Sequence, residues 1–276
     1  MSALETLTAR LRPLTPTPRL DASVLLAHLL NRTRTWVLAH PETQLTPAQT
    51  AALQLALSQL ERGVPLPYVL GKWQFYGRTF NISPHVLIPR PETELLVEHA
   101  LHFLARHPHA TRAADVGSGS GCIAISLACE LPHLRITAVD ISRPALEILR
   151  QNAHTHGVST RIHPLQGDLL TSLCANAFNL ICANLPYIPT KTLQNLEIYE
   201  KEPALALDGG ADGLHLIRRL IADSARLLAH GGLLLLEIEA TQGDSVPRLA
   251  HQHFPHAQVT LHPDLAGKPR LVSIQT

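Results

Sequence analysis

Aromatic residues are scarce in this chain, 4% of 276, and methionine occurs once. A surface of stacked rings for single-stranded nucleic acid therefore has little to be built from. An excess of charge is missing too. Twenty-three Lys and Arg against 22 Asp and Glu leave a net charge of +1, which excludes binding carried by phosphate neutralisation alone and argues against a polybasic membrane anchor. Apolar runs are short, as at 233–236, and none approaches a membrane span. The N-terminal stretch lacks the apolar segment of a signal peptide, so the expected location is cytoplasmic. Cys122, Cys129, Cys174 and Cys182 form no C-x-x-C pair and read as free thiols of a reducing compartment. The 17 histidines include no H-E-x-x-H and no zinc-type spacing with cysteine, so no metal site is expected. What is present is 45% hydrophobic residues with 16% charged. That supports a sizeable core and either one large domain or a medium and a small one.

Residues 1–70 read as a small helical bundle. Leu4, Leu7 and Leu11 keep helical spacing; a second helix is predicted from Asp21 as N-cap. A third is predicted from Thr46, where Pro47 takes the first helical position and Gln49 completes a capping box, and it stops at Gly63. Prolines and glycines over 64–90 are expected to break any helix. A short hairpin is expected at 75–82, so 71–90 reads as a linker. From 91 to 276 helical and strand patterns alternate. Strands are predicted at 112–116, 135–139, 160–165, 178–183, 233–238, 258–262 and 271–274. Helices are expected between the first five strands, and the last two are expected to form an antiparallel edge hairpin. Such alternation implies an α/β fold with a mostly parallel sheet covered by helices on both faces, in which ligands sit at the carboxyl ends of the strands.

Four constellations fall at those ends. Gly117, Ser118, Gly119, Ser120 and Gly121 follow the first predicted strand of the sheet. Three glycines in five positions permit a tight turn and close approach of a ligand to backbone, or a plain strand-to-helix turn. The spacing is neither G-x-G-x-x-G nor a phosphate loop. Asp140 lies 19 residues beyond Gly121, at the end of the next strand, and could accept from ribose hydroxyls or cap the helix starting near Ser142. Asp168, followed by Leu169, could accept from an adenine amino group or serve as a loop carboxylate. Asn184, Leu185, Pro186 and Tyr187 follow the fourth strand. Asn184 Oδ1 and the Leu185 carbonyl offer two acceptors for a planar N–H₂ group; the bland alternative is a turn with a packed tyrosine.

This order resembles the class I S-adenosylmethionine-dependent methyltransferases that act on amide or amino nitrogen. The strings I-P-R-P-E-T-E at 88–94, E-P-A-L-A-L-D-G-G-A-D-G-L at 202–214 and G-V-P-L-P-Y-V-L-G at 63–71 resemble the PrmC/HemK family over nearly the whole chain. The resemblance implies a class I methyltransferase-type seven-stranded sheet behind an all-helical N-terminal domain that recognises the partner. It implies methyl transfer from S-adenosylmethionine to N5 of a glutamine in class I peptide chain release factors, with no direct nucleic-acid or membrane partner. It places residues 117–121 at the methionine moiety, Asp140 at the ribose and Asp168 with Leu169 at the adenine. Asn184 to Tyr187 would hold the glutamine, with Asn184 also at the cofactor and with Asn184 and Tyr187 as the catalytic pair. This chain has Leu185 where most members have proline, Leu169 where many have an aromatic residue, and Ile238-Glu239 where glycine commonly follows Glu237. The competing readings are an adenine-N6 methyltransferase of nucleic acid, a methyltransferase of another protein glutamine such as one in a ribosomal protein, and a non-catalytic scaffold.

Overall fold

Helix caps and sheet periodicity organise two compact units, Met1–Lys72 and Trp73–Thr276, in a computed structural model that describes residues 2–276 other than Ser172, Cys174 and Asn176. The reading of Cys174 as a free thiol lies outside the described residues.

The first unit holds α1 (Ala3–Leu11), α2 (Pro18–Leu30), α3 (Arg34–Ala39), α4 (Pro47–Glu61) and α5 (Leu66–Leu70). Capping boxes start α1 at Ser2 with Glu5 and α4 at Thr46 with Gln49. Each box satisfies backbone N–H groups that the first turn leaves unpaired. Leu7, Leu11, Leu25, Leu26, Val37, Leu57 and Leu66 form the core of this unit. The structure corrects two expectations. The N-cap of α2 is Thr17, with Pro18 in the first turn; Asp21 sits inside the helix and accepts from Thr15 Oγ1 at 2.5 Å and Thr17 Oγ1 at 3.2 Å. Residues 66–70 are helical despite Pro65 and Pro67, because proline is tolerated where the N–H has no intrahelical partner. The short α3 has no counterpart in the sequence reading.

The boundary before the second unit falls after the first residue of β1 (Lys72–Phe75), which pairs with β2 (Arg78–Asn81) as a two-stranded hairpin. Tyr76 and Gly77 have φ of +50° and +68°, as a primed hairpin turn requires. Phe75 and Phe80 are buried in the core of this unit, so the hairpin within 71–90 is part of its packing. Then follow α6 (Glu94–Arg106), β3 (Arg112–Val116), α7 (Cys122–Glu130), β4 (Arg135–Asp140), α8 (Arg143–Thr155), β5 (Ile162–Gln166), β6 (Phe178–Ala183), α9 (Thr190–Leu193), α10 (His215–Leu227), β7 (Leu228–Glu237), α11 (Ser245–His253), β8 (Gln258–Pro263) and β9 (Pro269–Gln275). The seven strands pair in the order β5-β4-β3-β6-β7-β9-β8. All pairs are parallel as far as β7, and β9 runs antiparallel between β7 and β8. All seven predicted strands are present. The helix expected between the third and fourth of them is not: among the described residues of 167–177 there is no helix.

Strand alternation divides the core. Leu180, Cys182, Leu233 and Leu235 face α6, α7 and α8, while Ile181, Ala183, Leu234 and Leu236 face α10 and α11. The chain steps from β3 outward through β4 to β5 and returns to the other side of β3 as β6. The carboxyl ends of β3 and β6 therefore flank a topological switch point, where open α/β sheets form a crevice.

Two buried polar groups fasten this crevice. Asn152 of α8 donates to the carbonyls of Asn81 and Ser120, both at 2.9 Å, and accepts from the Asn81 N–H at 2.8 Å. Asp115 Oδ2, near the end of β3, accepts from the Ala124 N–H at 3.1 Å and so holds the first turn of α7. Burial pushes the Asp115 carboxyl up to about 7, and the Cys122 thiol up to about 12, so that thiol is inert. No helix among the described residues is long and apolar enough to cross a membrane.

Asn152→Ala would leave buried partners unsatisfied and is expected to lower unfolding free energy by about 2–4 kcal/mol, measured by denaturant titration; a loss within error would contradict this role. The proton of Asp115 is held to higher pH in the folded state than in the unfolded chain, so its burial costs stability as pH rises from about 4 to 7. Asp115→Asn is expected to remove about 2 kcal/mol of the decline between about pH 5 and 8. An unchanged slope in pH-resolved denaturation would show that Asp115 does not carry it.

Candidate active site

A cavity of about 360 Å³ opens at the switch point. Its floor is the glycine loop after β3. Gly117 and Gly119 have φ of +71° and +52°, which brings bare backbone to the cavity wall. Ser118 also lines the cavity, and its Oγ is buried with no hydrogen-bond partner among the described residues. A buried hydroxyl in that state suits a polar ligand group.

Asp140, at the end of β4, lines the next wall. Its Oδ2 accepts from the Gly119 N–H and its Oδ1 from the Ser142 N–H, both at 2.8 Å. Asp140 thus fastens the turn before α8, whose N-cap is Ser142 and not Asp140, and each carboxylate oxygen keeps capacity for a further hydrogen bond. Burial raises its pKa, against the backbone N–H groups that favour the charged form. Asp168 lines the cavity as well but is paired with Arg219 of α10 at 2.7 Å. Leu169, buried beside it, holds φ of +52°, a left-handed conformation that is unusual for a branched side chain.

The opposite wall is the turn after β6. Asn184, Leu185 and Pro186 line the cavity. Asn184 Nδ2 donates to Thr93 Oγ1 at 3.0 Å. Thr93 Oγ1 donates to Glu237 Oε2 at 2.7 Å, and the Tyr187 hydroxyl donates to Glu237 Oε1 at 3.3 Å. Glu237 ends β7 and is 2% exposed. Burial pushes its carboxyl up to about 7, against Thr93, Arg270 and Tyr187, which favour the charged form.

The backbone of this turn is held from behind. The Gly209 N–H donates to the Ile188 carbonyl at 2.9 Å, and Thr190 Oγ1 donates to Asp208 Oδ1 at 2.7 Å. Gln242 Nε2 donates to the carbonyls of Tyr187 and Gly213, both at 3.1 Å. A Cβ at Gly213 would collide with the Tyr187 carbonyl, so only glycine fits there. The D-G-G-A-D-G string is thus a backing for the Asn-Leu-Pro-Tyr turn.

The other string, I-P-R-P-E-T-E, forms the rim. Arg90 pairs with Glu202 at 2.5 Å, and Glu202 also accepts from the Ile88 N–H at 3.0 Å. This ties 84–90 to 203–206, two loops that both line the cavity. Two residues expected at the ligand stand off the wall. Gly121 is the N-cap of α7 with φ of +81°, where a Cβ would strike Ile125 and Leu149. Tyr187 points into the Glu237 contact. Thr93, Glu237, Arg90 and Glu202 were not singled out for a role in the sequence reading; only the 88–94 and 202–214 strings pointed near three of them.

The PrmC N-terminal domain family matches residues 2–71 and the methyltransferase small domain family matches 91–201. A release factor glutamine methyltransferase of Moorella thermoacetica is 42% identical, covering 92% of this chain and 89% of its own. One of Coxiella burnetii is 37% identical, covering 98% and 96%. Among solved structures, a ribosomal protein L11 methylase of Lactobacillus delbrueckii subsp. bulgaricus superposes with a TM-score of 0.50 at 21% identity, covering 70% of this chain and 82% of its own, and shares the fold. With this sheet order and these relatives along nearly its whole length, the chain belongs to the release factor glutamine methyltransferase family.

Proposed function

We propose that this protein transfers the methyl group of S-adenosylmethionine to the side-chain amide nitrogen (N5) of a glutamine in a class I peptide chain release factor, in the cytoplasm. The observation that carries this reading is the orientation of Asn184. Its Nδ2 is engaged by Thr93, so its Oδ1 is the group left to accept at the cavity wall. The adjacent Leu185 carbonyl is the second acceptor. Two acceptors side by side match the two hydrogens of a primary amide.

The cavity residues fit the cofactor. The glycine loop with Ser118 would hold its methionine part, Asp140 its ribose, and Asp168 with Leu169 its adenine. When bound, it supplies a methyl group on a sulfonium that leaves as a neutral thioether. What remains for the chain is to aim a poor nucleophile, because the amide lone pair is delocalised into its carbonyl. Asn184 and Leu185 hold both amide hydrogens and direct the nitrogen toward the methyl-bearing side. Orientation of this kind is worth up to about 7–11 kcal/mol. Pro186 stiffens the turn that carries both acceptors, and the role of Tyr187 is to hold Glu237. A glutamate in the same place would set carboxylate oxygens against two acceptors; sites built on such hydrogen bonds reject the wrong group by about 10⁴-fold. The helical unit, residues 1–70, is assigned to recognition of the release factor.

Incubation with labelled S-adenosylmethionine and a purified class I release factor is expected to label the factor, and to leave unlabelled a copy whose target glutamine is alanine, a duplex, and rRNA. Label on nucleic acid would favour the adenine reading, and label on neither with cofactor bound would favour another protein glutamine or a non-catalytic scaffold. Asn184→Ala is expected to lower kcat at least about 10³-fold with cofactor affinity nearly retained; turnover at the wild-type rate would remove Asn184 from the reaction.

A further inference from the structure

The hydrogen bonds around Asn184 have a direction, and that direction is set outside the cavity. Asn184, Thr93 and Glu237 form a chain with links of 3.0 and 2.7 Å. Thr93 has one proton to donate. An ionised carboxylate only accepts, so Glu237 takes that proton, and Thr93 Oγ1 can then only accept from Asn184. This forces Nδ2 inward; with the amide turned over, two oxygen lone pairs would face each other. Tyr187 donates to the second oxygen of Glu237, so the carboxylate is held on both sides.

We propose that Thr93 and Glu237 are positioning residues that set the donor–acceptor polarity of Asn184, so that the site takes a carboxamide and rejects a carboxylate of the same shape. This rests on the reading of the site as a glutamine methyltransferase and goes beyond it by naming what determines amide selectivity. The state of Glu237 decides the polarity. Once protonated, Glu237 can donate to Thr93, Thr93 can donate to Asn184, and the Asn184 amide can present Nδ2 to the cavity, where it would welcome a carboxylate. The charged and titratable groups facing Glu237 are Arg270 of β9, Tyr187 after β6, Glu92 in the turn before α6 and, at the start of α7, Cys122. Burial brings the Glu237 titration to about 7, within reach of an assay.

Three variants separate polarity from packing. Glu237→Gln keeps shape but can donate to Thr93. Thr93→Val removes the relay, and Thr93→Ser restores it. Each is assayed on the release factor, with the factor whose target glutamine is glutamate as a competitive inhibitor, and cofactor affinity serves as the control for folding. Glu237→Gln is expected to lower kcat about 10–100-fold with cofactor affinity retained. It is also expected to tighten inhibition by the glutamate form relative to KM for the glutamine form, and to lack the fall in kcat expected of the wild type as pH drops below about 7. Thr93→Val should lose activity to a similar extent, and Thr93→Ser should recover most of what Val lost. If Glu237→Gln keeps wild-type discrimination between the glutamine and glutamate forms, or if Thr93→Val turns over as the wild type does, the proposal is wrong. If instead the wild-type protein fails to label the release factor at all, the functional reading falls, a separate outcome from failure of the polarity relay.

Discussion

A carboxylate almost fully removed from water at the end of β7 is the constraint around which the site is organised. Glu237 is 2% exposed, and a buried acid is tolerated only when its oxygens are hydrogen-bonded or its charge is offset. Thr93 and Tyr187 meet its oxygens, and Arg270 lies within electrostatic reach. Thr93 comes from the turn before α6, Tyr187 from the turn after β6, and Glu237 from the neighbouring strand. One buried acid thereby joins the rim, the turn at 184–187 and the sheet, and reaches Asn184 at the cavity wall through Thr93.

The sheet order supplies the place for this arrangement. Because β3 lies between β4 and β6, the loops after β3 and β6 diverge and leave a crevice between them. The glycine loop brings bare backbone and an unpartnered Ser118 hydroxyl to one side, and Asp140 secures that loop through Gly119. The turn carrying Asn184 stands on the other side. It is backed by Gly209, Gly213 and Gln242, which leaves its acceptors little freedom to move. The rim pair Arg90–Glu202 has its carboxylate buried and its guanidinium partly exposed, a geometry in which loss of the arginine alone would leave an uncompensated buried charge.

Much of this was legible in the sequence wherever the signal is local. Thr46 and Gln49 lie three residues apart, so the capping box could be read directly. The sheet strands are apolar runs bounded by turns, and Asn184 stands at the end of one of them. The helix at 66–70 is not legible because Pro65 and Pro67 carry the local signature of helix breakers, and only the folded chain shows them as N-cap and first-turn residue. The helical pattern read between the third and fourth strands is not realised among the described residues of 167–177. Thr93 and Glu237 were missed for a different reason. They are 144 positions apart, each is unremarkable among its neighbours, and it is the packing of α6 on β7 that brings them to one point. The two family strings marked the region, but their physical content, a rim tie and a backing for a turn, is a property of the folded chain.

The polarity of Asn184 is a matter of where protons lie, so it is read best by a method that sees them. Neutron diffraction from perdeuterated crystals, grown above the Glu237 titration, would place the deuterons on Asn184, Thr93 and Glu237. The Thr93 hydroxyl deuteron is expected to be directed at Glu237, the deuterated amide nitrogen of Asn184 to face Thr93, and Asn184 Oδ1 to turn to the cavity. Asn184 Oδ1 facing Thr93, with the hydroxyl deuteron directed at it, would show that Glu237 does not set this polarity.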